Sequence, residues 1–420
     1  MTEDAGKTSY YSWYALALLM FVYILNFLDR QIVYILLPNI KAEMAFSDLQ
    51  LSLLSGTSFV IFYTVLGIPF GRLSDRRSRV RMIAAGLAVW SLFSGLTGFA
   101  GGFWSIFACR LMVGVGEATL GPAAISLLAD FFPPARRATV TSIYSMGIAV
   151  GAGCAALLGG YLSKFGWREA FFMVGFPGVV VATIVFLLRE PARTGAGGSQ
   201  MPVSQTQTAG IAGWRALISN RAFVFLCLGY ALFGLATNNI SIWGAIFYSR
   251  VFGFAVPAYG YWAGILTLAA GIPATLAGGV LADRFRGRRR GGRMYYGAIL
   301  SLVSIPCWFI LLYSSDPAVI FPAAFIILFA ALGWLGAAAA DATEISGAGS
   351  RGLAVAVYFF TVNIAAYLIG ANLIGLISDR LGGGANPAML RYALLLCPLC
   401  CLLGAVCLWL GGRTLDSRAE

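Results

Sequence analysis

The 420-residue sequence contains no histidine, and only 11% of its residues are charged. Without histidine there is no imidazole proton relay and no histidine-ligated metal. A soluble domain carries about 25% charged residues, so a surface this poor in charge is solvated mostly by lipid. No glycine-rich loop ending in Lys-Ser or Lys-Thr occurs, which argues against a nucleotide-driven pump. Serines such as Ser145 stand in apolar sequence with no base in view, so no enzyme activity and no cofactor are expected. A cleavable signal peptide is also not expected. The first apolar run, from about Tyr14, is too long for one and carries an Asp-Arg pair.

What is abundant is apolar: 59% of residues are hydrophobic, in long continuous runs. A bilayer core about 30 Å thick needs roughly 20 apolar residues per helical span. Lipid offers the backbone no hydrogen bonds, which leaves helices or closed barrels. Continuous runs without period-2 alternation select helices. The net charge of +12 does not point to a nucleic acid, because the basic residues are not gathered on one soluble face. Most fall in the termini and in alternate loops, the positive-inside asymmetry that puts both termini in the cytosol. All eight cysteines lie in apolar runs. Cys397-Pro-Leu-Cys400 has a redox-like spacing, but thiolates need a polarising environment, so packing is the expected role.

Twelve spans are expected, at roughly 14–38, 49–71, 82–101, 104–132, 139–163, 168–189, 222–250, 257–282, 293–314, 317–345, 352–378 and 390–411. This is an all-α membrane protein with two pseudo-symmetric six-helix bundles, residues 1–190 and 221–420. The Gly-, Ser-, Thr-, Gln- and Pro-rich stretch 191–220 between them reads as a flexible cytosolic linker. The halves repeat each other. The second span ends Gly71-Arg-Leu-Ser-Asp75-Arg76-Arg77, and the eighth ends Gly279-Val-Leu-Ala-Asp283-Arg284. Gly160-Tyr-Leu-Ser163 and Gly375-Leu-Ile-Ser378 recur at a nearly equal separation. Such a duplication places substrate sites between the halves.

Charges inside spans are costly and functional by default. Four stand out: Asp29, Arg30, Arg110 and Glu117. At about 1.5 Å rise per residue, Asp29 in the first span lies between the depths of Arg110 and Glu117 in the fourth. Arg110 and Glu117, seven apart, share a helix face. Asp29 is expected as the main proton-binding carboxylate, with burial and a nearby Arg30 or Arg110 acting oppositely on its charge. Its protonation would free the arginine for an anionic head group. Glu117 is the second candidate, as a proton site or as the partner of Arg30. A buried ion-pair cluster that only pins span one to span four is the alternative. In the second half, Asn238, Asn239, Trp243, Tyr358, Phe359, Thr361, Asn363 and Tyr367 mix amides with aromatics and are candidate cavity lining. Charge in one half and an apolar wall in the other suit an amphipathic anion or zwitterion.

The Gly-x-Leu-x-Asp-Arg loop, its second-half copy, and Arg110-x-x-x-Gly114-x-Gly116-Glu117 resemble the major facilitator superfamily across essentially the whole chain. Asn26-Phe-Leu-Asp29-Arg30, Gly166-Trp167-Arg168 and Phe171-Phe172 resemble its spinster-like transporters. That resemblance implies a proton-coupled carrier of lysophospholipids or sphingoid phosphates, with Asp29 and Glu117 in coupling and Arg30 and Arg110 in substrate contact. Related organic-anion symporters also carry a first-span Asp-Arg pair, so a symporter of small organic anions is the alternative. A membrane lipid sensor is the alternative from another class.

Gly71 and Gly279 are expected to allow close helix approach, with Asp75, Arg76, Asp283 and Arg284 gating the cytosolic side. The resemblance adds Asp130 and Arg136 to that gate, with Asp341, Glu344 and Arg351 in the equivalent region of the second half. Gly147, Gly151, Gly153, Gly159 and Gly160 resemble the glycine-rich span of facilitator exporters, but Ala152 stands where a proline is typical, so direction stays open. Short termini and the lack of targeting signals point to a bacterial inner membrane; a monomer is expected.

Overall fold

The computed structural model describes residues 9–191, 211–346, 350–383 and 386–417. Among these residues, twelve helices are long and apolar enough to cross a membrane. The first half contains α1 (Tyr10–Met44), α2 (Asp48–Gly67), α3 (Arg79–Phe99), α4 (Phe103–Phe131), α5 (Thr139–Leu162) and α6 (Trp167–Phe186). The second contains α7 (Arg221–Phe252), α8 (Val256–Arg288), α9 (Gly292–Tyr313), α10 (Pro317–Ser346), α11 (Arg351–Arg380) and α12 (Met389–Asp416). No strand occurs among the described residues. Polar side chains cap the starts: Ser9 accepts from the Tyr11 amide, Ser78 from Arg81, Asn220 from Ala222 and Asp316 from Ala318. Each cap satisfies an amide that the first helical turn leaves without an intrahelical partner.

The halves are built alike. In the first, α3 packs on α6, α1 on α5 and α2 on α4; in the second, α9 packs on α12, α7 on α11 and α8 on α10. Both fourth helices are interrupted: α4 breaks after Glu117, and α10 breaks at Trp334. One expectation needs correcting. The stretch 191–220 is not all irregular, because Ile211–Ser219 is helical and its Leu217 is buried. The overall Gly, Ser and Gln content of the stretch hides an apolar run at its end. Residues 192–210 lie outside the described structure.

Twelve crossings bring the start of α1 and the end of α12 to one face, the terminal face; the α1–α2 loop lies on the far face. The halves meet through α5 with α8, α2 with α11, and α1 with α7. Near the far face the backbones touch. A Cβ on Gly160 would sit 2.8 Å from the Gly260 Cα, and one on Gly56 would sit 2.5 Å from the Tyr367 carbonyl oxygen. Toward the terminal face α2 and α11 part. Nothing lies within 4 Å of a Cβ built on Gly67 or Gly71, and Phe62, Val65, Phe359 and Phe360 are exposed. The halves therefore close on the far face and separate toward the terminal one.

Candidate functional site

Two glycines set the site's geometry. A Cβ on Gly114 would lie 2.5 Å from the Phe59 carbonyl oxygen of α2, and one on Gly116 would lie 2.7 Å from the Trp90 amide of α3. Only without side chains can α4 wedge between α2 and α3. Directly after this wedge the helix ends at Glu117, and the wedge carries Glu117 against α1. There Arg30 donates to its Oε2 from Nε at 3.1 Å and from Nη2 at 2.7 Å. Both side chains are buried. The guanidinium also lies 4.9, 4.3 and 4.8 Å from the ring centroids of Phe27, Phe59 and Tyr63. Such contacts favour a cation, and more strongly when it is desolvated.

Asp29 points elsewhere, as expected for adjacent helical residues about 100° apart. Its Oδ1 accepts from the Ser94 hydroxyl of α3 at 2.6 Å. Among the described residues no guanidinium pairs with its carboxylate; Arg110 instead donates from Nη1 to the Asp29 backbone oxygen at 3.3 Å. Arg110 is fully buried, and among the described residues its Nε and Nη2 have no hydrogen-bond partner, nor do Glu117 Oε1 or the Tyr34 hydroxyl. The arrangement thus holds one closed ion pair, one carboxyl with a hydroxyl donor and no paired cation, and one arginine with donors to spare. It can exchange a proton at a carboxyl and offer a cation to an anion. The described residues contain no His, Cys, Asp and Glu grouping able to hold a metal.

The structure brings the four first-half charges together but scatters the second-half candidates. Tyr367 donates to Asn238 Oδ1 at 2.9 Å, beside Gly56 of α2. Asn239 is buried and donates to the Leu235 and Ala366 carbonyls. Trp243 and Tyr358 lie inside the second half's own core, Tyr358 beside Tyr230 and Trp334. Thr361 and Asn363 bond back to the Val357 and Phe359 carbonyls of their own helix.

The charges of the terminal face pair within their own halves. Arg79 reaches Asp130 at 2.5 Å and Glu190 at 3.0 Å. Arg293 reaches Asp283 at 2.8 Å, Asp341 at 3.2 Å and Glu344 at 2.9 Å. Asp283 is therefore paired within its own half in this conformation, and the close approach expected at Gly71 and Gly279 is not made. Arg76, Arg136 and Arg284 are exposed, and the side chain of Asp75 lies outside the described structure. The glycines of α5 do pack closely, Gly151 on Phe27 and Gly153 on Leu268. Trp167 and Arg168 both donate to Glu43 at the end of α1.

Sequence reasoning missed Ser94, Arg79 and Glu190. Ser94 lies four residues after Trp90 on α3, a spacing that puts both on one face. Looking for a polar partner at the depth of Asp29 would have found it.

Residues 19–370 match the Major Facilitator Superfamily. The chain is 29% identical over 404 residues to an "MFS-type efflux pump" of Mycolicibacterium smegmatis, covering 95% of this chain and 92% of that protein. It is 26% identical over 413 residues to Protein spinster homolog 1 of Xenopus tropicalis, covering 92% and 78%. Among solved structures it resembles a bacterial homolog of the human lysosomal transporter spinster, inward-facing and unoccupied. That match has a TM-score of 0.84 and 26% identity over 97% of this chain and 98% of that one.

Proposed function

We propose that this chain, which belongs to the major facilitator superfamily, is a proton-coupled carrier of an amphipathic lysophospholipid- or sphingoid-phosphate-like molecule. It works by alternating access, rocking residues 1–190 against 221–420, as a monomer in a bacterial inner membrane with the terminal face cytosolic. Asp29 is the main proton site. The observation that carries this reading is the unequal treatment of two buried carboxyls. Glu117 is neutralised by Arg30, whereas among the described residues no cation pairs with Asp29, whose Oδ1 accepts from the Ser94 hydroxyl. A buried charge without a counter-ion tends to be neutralised by a proton, and opening the cavity to water reverses that preference.

Arg30 and Arg110 supply the cationic pole for an anionic head group. The exposed Phe359 and Phe360 of α11 supply apolar wall opposite it. The resemblance to spinster homologs supports the lipid class. A small organic anion is the second reading, favoured by the two unpartnered nitrogens of Arg110. Proteoliposomes with an imposed pH gradient separate them. Gradient-driven uptake of a fluorescent lysophospholipid, displaced by lysolipids but not by small carboxylates, supports the lipid reading. Displacement by small carboxylates alone contradicts it.

A further inference from the structure

We propose that Asp48 and Asp379 form a latch holding the far face closed, and that its release is the first step in opening that side. The two carboxylates have different tasks. Asp379, at the end of α11, accepts from the amides of Asp48 and Leu49, each at 2.9 Å, and so caps the first turn of α2. The carboxylate of Asp48 is completely buried and gathers side chains from α1, α7 and α11. Lys41 of α1 donates to it at 2.5 Å, and Ser378 of α11 at 2.6 Å. Arg250 of α7 donates through both terminal nitrogens, one at 2.9 Å. Lys41 and Asp48 belong to the first half; Arg250, Ser378 and Asp379 belong to the second. A buried carboxylate stripped of its partners is costly, so the contacts break together rather than singly.

Below the latch the seam continues. Ser52 donates to Asn372 at 2.9 Å, and Asn372 donates to Thr57 at 2.6 Å. The backbones meet where a Cβ on Gly375 would lie 2.7 Å from the Asp48 carbonyl oxygen. Beneath that contact both helices become π-helical, α2 at Leu53–Thr57 and α11 at Ile364–Gly370. Single π turns inside α-helices occur frequently at functional sites. Here they lie where the latched ends join the parts of α2 and α11 that separate.

The sequence carries the same device twice. Gly375-Leu-Ile-Ser378-Asp379-Arg380 repeats the pattern Gly71-Arg-Leu-Ser74-Asp75-Arg76. On the far face its glycine touches the opposite half, while at Gly71 the space is open. One engaged and one open copy fit a device that closes a single face at a time.

Hydrogen–deuterium exchange of the full chain in lipid nanodiscs tests the latch. Asp379→Asn is expected to speed exchange severalfold in residues 46–57 and 370–383. It is also expected to slow exchange at the terminal-face ends of α2 and α11, as the opposite face closes. Ser378→Ala should do the same more weakly, and serves if the first variant does not fold; Asp379→Glu should restore the parent pattern. Faster exchange confined to the far face, or unchanged exchange, would overturn the proposal and leave Asp48 and Asp379 as a local brace. The latch rests on the rocking of the two halves proposed above; because the measurement needs neither cargo nor a proton gradient, its outcome is independent of the cargo class and of the proton site.

Discussion

Arg30 places two of its nitrogens on a single oxygen of Glu117, and among the described residues none stands within hydrogen-bond geometry of the other oxygen. The pair is closed but not saturated. Removing one member strands a buried charge, which costs about 3–5 kcal/mol, whereas replacing both by apolar groups is often near neutral. Glu117→Gln is therefore expected to lower the thermal midpoint in detergent sharply. Arg30→Met with Glu117→Leu should recover most of the loss. A double variant as unstable as the sum of the singles would contradict the pairing.

The Ser94 hydroxyl donates to the Asp29 carboxyl. A donor to a carboxyl favours its charged form, so Ser94→Ala should move the midpoint of pH-dependent transport upward without abolishing transport. Initial rates across a pH series check this. An unchanged midpoint would separate Ser94 from coupling.

The four intramembrane charges were legible because each is expensive and therefore conspicuous in apolar sequence. Their pairing was only partly legible. Helical spacing put Arg110 and Glu117 on one face, but which arginine met which carboxyl depends on how Gly114 and Gly116 seat α4. The second-half candidates were harder to place. All faces of a span are apolar, so hydropathy does not separate Trp243 and Tyr358, inside the bundle, from Phe359, which is exposed. Lys41, Asp48 and Arg250 escaped notice because they stand at span ends, where charge is expected for topology alone.

The glycines make a controlled comparison. Gly116→Ala forces a Cβ against the Gly86 carbonyl oxygen, at 2.6 Å, and against Trp90. Overpacking of this kind costs roughly 1–3 kcal/mol. Gly71→Ala meets open space and should leave the thermal midpoint unchanged while slowing transport through its proposed gate. Equal destabilisation by the two would mean that α2 and α11 do not part toward the terminal face.

Glu190 reports acid sensitivity outside the spans. Burial opposes its ionisation, but hydrogen bonds from the Ser78 hydroxyl and from the Arg79 amide and guanidinium outweigh it and hold its pKa below the ordinary glutamate value. A lowered folded-state value means its stabilisation is fully present above the unfolded pKa and fades as pH falls through the folded one. The stability difference between the parent and Glu190→Gln should therefore be constant near neutrality and shrink in acid. A difference that persists unchanged in acid would contradict the linkage.

The most direct measurement compares two transport modes in Asp29→Asn proteoliposomes. Counterflow of a fluorescent lysophospholipid needs only alternating access, whereas uphill accumulation needs a proton bound and released in each cycle. The variant is expected to keep counterflow and lose accumulation driven by the pH gradient. Accumulation that survives in Asp29→Asn and disappears in Glu117→Gln would contradict Asp29 as the main proton site.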